Sequence, residues 1–300
     1  MNNSQYEGDY RRVVGRVEST RFLPGTSVEI IRERRRGTRP AHVLFDFDGT
    51  LSLIREGWPA IMVAMMVEAL EATGSGETPD QLHHVAMGFI MELTGKQTVY
   101  QMMRLAEEVC ARGGEPEEPL VYKHRYHERL MKVIEHRREG LRSGAIAPDT
   151  MLVPHTLEFI GALRERGVQL YLASGTDEEY VREEARLLTL DRYFGGHIYG
   201  AIDDYRAFSK QMVIDRIRAE NGIDGAQLLG FGDGYVEIEN VKSSGGTAVA
   251  VASDEAGRSG KSDPWKRDRL IGVGADIVIP DFRDGRQLIE YLWNEGVASA

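Results

Sequence analysis

Apolar residues follow two different rhythms along the chain. "AHVLFDF" (41–47) is a short continuous apolar run rich in β-branched and aromatic residues. That pattern predicts a strand buried on both faces. Residues 53–152 then carry no such run. Their apolar positions recur at three and four, predicting helices over Pro59–Ala72, Asp80–Leu93, Thr98–Ala111 and Pro119–Glu139. A proline opens the first and last of these, where a missing N–H costs nothing. "TGSGETP", "TGKQ" and "RGGEPEEP" separate them. The methionines at 62, 65, 66, 87, 91, 102 and 103 fall at helical spacing and read as plain helix packing.

After residue 150 the two rhythms alternate. Helical patterns at 153–166, 177–188 and 209–221 lead into "VQLYLAS" (168–174), "HIYGA" (197–201) and "QLLGFGD" (227–233). "TAVAVAS" (247–253) and "ADIVI" (275–279) continue the series, and "GRQLIEYLWNEG" ends it as a helix. Short apolar strands separated by helices of this length predict βαβ units and a parallel sheet. The expected fold class is therefore α/β: a Rossmann-like, three-layer parallel core at 41–52 and 153–300, with an all-helical insert at 53–152. Residues 1–40 read as a separate N-terminal extension, in which "VEII" (28–31) is a possible strand among turn formers.

Charge changes this picture only at the start. The chain has 300 residues and a formal net charge of −10, which argues against nucleic acid or an anionic membrane as partner. Residues 1–40 run the other way, with nine Arg against five acidic residues and a cluster "RERRRGTR" at 32–39. Alone, that cluster reads as a solvated segment; the extension leaves open a contact element for a partner or a second copy. One cysteine, Cys110, excludes an internal disulfide and a multi-cysteine zinc site, and reads as a thiol of either the helical insert or the core. The polar start "MNNSQYEGDYRR" lacks a signal-peptide pattern, and "GWPAIMVAMMV" (57–67) is too short to span a bilayer. A cytoplasmic setting is the expectation.

In an open parallel sheet, ligands bind beyond the carboxyl ends of the strands. The predicted strands deliver Asp46, Asp48, Gly49 and Thr50; then Ser174, Gly175 and Thr176; then Asp233, with Glu237 four residues on. Lys210 opens the helix before the last of them, behind Ser209, where it also reads as a surface lysine. Carboxylates from two strands form a hard-oxygen site suited to Mg²⁺, which keeps waters and takes phosphate oxygens. Backbone N–H groups at a helix start suit an anion. Metal, N–H groups, lysine and carboxylates together suit phosphoryl transfer, with an aspartate as nucleophile.

These blocks resemble the haloacid dehalogenase-like superfamily. "DFDGT" (46–50) is similar to its first motif, "LASGT" (172–176) to its second, Lys210 to its third-motif lysine, and "GFGDGYVE" (230–237) to its fourth, with Glu237 in place of the last Asp. The resemblance spans about residues 41–292. It implies that Asp46 attacks phosphorus and that Asp48 serves as acid, then base. It implies that Thr50 buttresses the first loop while Ser174 and Gly175 hold phosphoryl oxygens. Lys210 would neutralise charge. Asp46, Asp233 and the carbonyl of Asp48 would hold Mg²⁺, and Glu237 would support either the metal or Lys210. The insert would be a mobile helical cap, with Arg55 as a candidate substrate contact and the helix "YKHRYHER" (122–129) as a possible cleft face.

The implied activity is a Mg²⁺-dependent phosphatase acting on a small phosphorylated metabolite. A phosphomutase and a catalytically idle binding protein are the alternatives. Asp48 speaks against a dehalogenase or phosphonoacetaldehyde hydrolase. The oligomeric state stays open.

Overall fold

The computed structural model describes residues 10–294 apart from 16, 18 and 34–37. Half of the basic cluster at 32–39, and the first nine residues, therefore lie outside the described residues. The first two strands, β1 (Arg21–Phe22) and β2 (Glu29–Ile30), form a small hairpin. The rest alternate with helices: β3 (His42–Phe45), β4 (Gln169–Asp177), β5 (Ile198–Ala201), β6 (Leu228–Gly232), β7 (Thr247–Val251) and β8 (Ile277–Ile279). The sheet order is β1-β2-β8-β7-β6-β3-β4-β5. From β8 to β5 every neighbour is parallel.

β3 is central. Its Val43 pairs with Leu170 on one side and Leu229 on the other. The chain steps from β3 outward to β4 and β5, then returns past β3 to β6. That reversal is the switch point at which open α/β sheets bind ligands.

Helices cover both faces. α5 (Thr156–Glu165), α6 (Glu178–Leu187), α7 (Asp191–Phe194) and α11 (Gly285–Leu292) share one apolar core. α8 (Lys210–Asn221), α9 (Tyr235–Ser243) and α10 (Pro264–Gly272) share the other. Strand alternation splits β3 between them: Val43 and Phe45 point into the first core, Leu44 into the second. Phe45 stacks on Phe231 at 4.8 Å and meets Phe159, Phe194 and Phe282 edge-on. Burying each such ring contributes roughly 2 kcal/mol, which anchors the strand whose end carries the aspartates.

Between β3 and α5 lie α1 (Trp58–Glu71), α2 (Pro79–Glu92), α3 (Thr98–Ala111) and α4 (Pro119–Ser143). Thr78 and Gln81 close a capping box that starts α2. Met65, Met66 and Met102 are buried where these helices meet, as plain packing, whereas Met62, also buried, lines a cleft against the sheet. Cys110 is exposed on α3, since it falls on that helix's outer side. The two segments joining the helices to the sheet pair with each other: Leu53 donates to Met151 O at 2.9 Å and Val153 to Leu51 O at 3.0 Å. This double crossing sets the helical block above the carboxyl end of β3.

The N-terminal segment is not detached from the core. β2 pairs antiparallel with β8, and Glu29, only 3% exposed, is clasped by Arg267 at 2.6 and 2.7 Å. Ser27 donates to Asp284 through both its backbone N–H and its hydroxyl. No described helix is long and apolar enough to cross a membrane.

Candidate active site

Asp46 follows β3 directly and stays locked to the sheet, its N–H donating to Phe231 O at 2.9 Å. Phe47 turns to the opposite side and is fully buried in the first core. Gly49 then takes a left-handed conformation (φ 74°), and a side chain there would run into the Asp233 carboxylate. The turn thus packs its backbone directly on the next acidic group. Thr50 is fully buried and donates to Asp233 Oδ1 at 3.4 Å, so it braces the turn and does not line the cleft.

On β4 the register slips between Ala173 and Asp177. Ser174 and Gly175 fall within this irregular stretch, and both line the cleft. Ser174 Oγ accepts from the N–H of Thr176, which leaves its own proton to donate. Thr176 Oγ1 donates to Asp48 Oδ2 at 2.8 Å. Lys210, first residue of α8 behind the N-cap Ser209, is buried and not at the surface. Its ammonium donates to Asp46 Oδ1 at 2.7 Å and also contacts Glu237 Oε1. Glu237 meets Lys210 through one oxygen, while its buried Oε2 has no hydrogen-bond partner among the described residues.

Asp46, Asp48, Arg55, Ser174, Gly175, Lys210 and Asp233 all line one cleft of about 90 Å³. Thr50 and Glu237 stand behind it. The helical block supplies the opposite wall through Trp58, Met62, Gln101, Tyr126 and the loop at 94–98. That loop seats closely: a Cβ on Gly175 would lie 2.7 Å from Lys96 O. Gln97 fastens it by donating to the carbonyls of Tyr205 and Phe208 at 3.1 and 2.8 Å.

Arg55 lines the cleft but is 4% exposed and committed to Glu184 by two hydrogen bonds, 3.0 and 2.8 Å. Its Nε lies 3.8 Å from Asp48 Oδ1, which has no hydrogen-bond partner among the described residues. Of the helix at 122–129, only Tyr126 reaches this cleft. Lys123 is spent on Asp177 and Asp203, while Arg125 and Arg129 pair with Glu117 and Glu68.

Burial dominates the electrostatics. It pushes the Asp46 carboxyl up to about 6, with Lys210 pulling down and Asp233 pushing up. It pushes Asp48 up to about 7, against the pull of Arg55 and with the push of Glu184 and Asp46. Two carboxyls in one cleft are thus held differently, one against an ammonium and one with a free oxygen.

Among the described residues, no three His, Cys, Asp or Glu side chains gather to hold a metal by themselves. Asp46 and Asp233 line the same cleft, and the charge of Asp233 acts on Asp46. Two carboxylates supplemented by a backbone carbonyl and waters are a donor set that fits Mg²⁺, which resists full dehydration. The residues present therefore fit such an ion.

Sequence reasoning passed over Glu184, Ser253, Glu255 and Lys266. Lys266 donates to Asp233 Oδ2 at 2.8 Å, to Glu255 Oε1 at 2.6 Å and to Ser253 Oγ at 3.1 Å. Nothing local marks these residues, because each acts through a partner distant in the chain.

Among solved structures, a β-phosphoglucomutase from Clostridium difficile is similar at 12% identity and a TM-score of 0.57, covering 85% of this chain and 98% of its own. A predicted phosphoglycolate phosphatase from Haemophilus somnus 129PT is similar at 16% identity and a TM-score of 0.54, covering 84% and 98%. A hydrolase from Deinococcus radiodurans R1, with bound phosphate and sodium, is similar at 16% and 0.51, covering 85% and 97%. At these identities the likeness concerns the fold. No curated protein matches by sequence. The model of the haloacid dehalogenase-like hydrolases matches residues 40–245, more than half of the chain and all the motif residues above. The protein belongs to the haloacid dehalogenase-like hydrolase family.

Proposed function

We propose that the protein is a Mg²⁺-dependent phosphatase that hydrolyses a small phosphorylated metabolite through an aspartyl-phosphate on Asp46. The observation that carries this reading is the pairing of Asp46 with Lys210 at 2.7 Å, beside an Asp48 whose Oδ1 is free of hydrogen bonds. An ammonium keeps a buried carboxylate nucleophilic, and a second carboxyl with an open oxygen can carry a proton.

Asp46 attacks phosphorus, and the bond from phosphorus to the ester oxygen breaks. Asp48 gives its proton to the departing alkoxide. A water then attacks phosphorus of the acyl-phosphate, Asp48 takes its proton, and Asp46 is released as carboxylate with inorganic phosphate. Thr176, on the other oxygen of Asp48, holds that carboxyl in place. Ser174 and the Gly175 N–H hold the phosphoryl oxygens, and Lys210 offsets their charge. Asp46, Asp233 and the carbonyl of Asp48 would hold the ion, whose positive charge keeps Asp46 ionised and draws charge from the phosphoryl group.

A cleft of about 90 Å³ under a seated loop favours a compact leaving group and no polynucleotide. The phosphate bound in the D. radiodurans structure supports an anion site in this fold. A panel of sugar, polyol, glycolate and nucleoside monophosphates, assayed for free phosphate with and without Mg²⁺, tests the proposal. Cation-dependent release is expected. Phosphate transferred to a second substrate without release would contradict hydrolysis.

A further inference from the structure

Lys266 stands where no motif calls for it. It lies in the first turn of α10, whose N-cap Asp263 fixes the Lys266 N–H at 2.8 Å. An ammonium has three protons to give, and here all three find acceptors: Asp233, Glu255 and Ser253. Ser253 in turn donates to Gly49 O at 2.7 Å, in the turn that follows Asp46. Glu255 closes the arrangement, since a side chain on Gly49 would lie 3.1 Å from its Oε1. One lysine therefore ties the β7 end to Asp233 and, through Ser253, to the Asp46 turn.

The charges are informative. Around Asp46 and Asp233 stand four carboxylates, with Glu237 and Glu255, against two ammonium groups, Lys210 and Lys266. Among these six ion-paired groups the balance is −2, a surplus of negative charge that favours a cation. Without Lys266 it would be −3; without Glu255 it would be −1. A unit charge a few ångströms away in a partly buried site alters ion binding strongly.

We propose that Lys266 and Glu255 are a matched pair of positioning residues that aim Asp233 and set how tightly the site holds a divalent cation. Lys266 occupies one oxygen of Asp233 and lowers its pull on the ion; Glu255 draws the ammonium off Asp233 and restores that pull. The proposal rests on the metal reading of the proposed function.

The test measures Mg²⁺ binding to the full chain by calorimetry, with Mn²⁺ as a second probe, and needs no turnover. Lys266→Met is expected to tighten binding by roughly tenfold and Glu255→Gln to weaken it by roughly tenfold. The double variant should return to near the wild-type affinity. Lys266→Arg, which keeps the charge, should stay near wild type. Circular dichroism of each metal-free variant checks the fold, and Glu255→Asp supplies a milder change if Glu255→Gln fails to fold. A merely structural salt bridge would weaken binding in both single variants, and that common direction, or no change in either, would overturn the inference. Wild-type protein that binds neither ion would overturn the metal reading with it.

Discussion

Arg55 and Glu184, 129 positions apart, meet in a buried two-hydrogen-bond pair at 2.8 and 3.0 Å. Glu184 has no exposure and Arg55 has 4%. The pair links the first residues of the helical block to α6 of the core, and it places a guanidinium beside Asp48. Burying two charges is costly, but removing one partner is costlier.

Glu184→Gln is therefore expected to cost about 3–5 kcal/mol by leaving Arg55 with only its longer contact to Asp48. Urea unfolding of Glu184→Gln, Arg55→Met and the double variant checks this. The double variant should lose much less than the two single losses added together. Additive losses would show that the pair is not coupled.

This pair shows where sequence reading stops. The β3, β6 and β7 runs are legible because strands buried on both faces need continuous apolar residues. The four inserted helices are legible from their 3.6-residue rhythm and prolines. β1 and β2 have two residues each, too few for any rhythm, and the partner of β2 lies in β8, far along the chain. That is why the N-terminal segment reads as an appendage. Asp46, Asp48, Ser174 and Asp233 stand out because they follow or end apolar strand runs, and Lys210 because it opens a helix behind an N-capping serine. Which carboxylate takes Arg55, or which lysine takes Asp233, depends on folding together segments with no local signal.

His127 gives a pH-dependent prediction. It is buried on α4 and its pKa is held down to about 3 by burial first, then by the charges of Arg55, Lys123 and His124. Asp177, at 3.5 Å, and Asp203 face it with the opposite sign. The folded protein thus keeps His127 neutral, while the unfolded chain protonates it near 6.5. Its contribution is complete above that value and falls as pH drops toward 3. Asp46 and Asp48, raised by burial, run the other way, so the comparison is made against His127→Gln, which shares them. Between pH 6 and 4 the stability of the wild type relative to this variant should fall by about 1.4 kcal/mol per pH unit. A difference that does not vary with pH would show that His127 does not take up a proton on unfolding.

Gly175 supplies a test of the seated loop. Its missing side chain lets Lys96 O approach, so Gly175→Val should push the loop at 94–98 away from the core. Hydrogen exchange in that loop should rise, and KM should rise by roughly tenfold or more as the opposite wall is lost. Unchanged exchange at 94–98 would show that the contact does not hold the loop.

Depressed carboxylates make a different acid test. Burial raises Glu29, but hydrogen bonds from Arg267 and Thr20 outweigh it and hold the group below its ordinary value. Its stabilisation is present above the unfolded value and is lost as pH falls through the folded one. Arg267→Met should release the β1–β2 hairpin from α10, seen as faster exchange at 21–30 with the parallel strands unaffected. Equal protection in both proteins would show that the ion pair does not anchor the hairpin.

The proposed mechanism stands or falls with Asp46 as nucleophile. Its most direct measurement is phosphate release by Asp46→Asn beside the wild type, on the best monoester found, with the quenched wild-type reaction reduced by borohydride and mapped by mass spectrometry. A loss of at least about 10³-fold is expected in the variant, with reduction of the acyl-phosphate at residue 46 in the wild type. Activity surviving within tenfold in Asp46→Asn, or a phosphoryl group trapped on another residue, would contradict it.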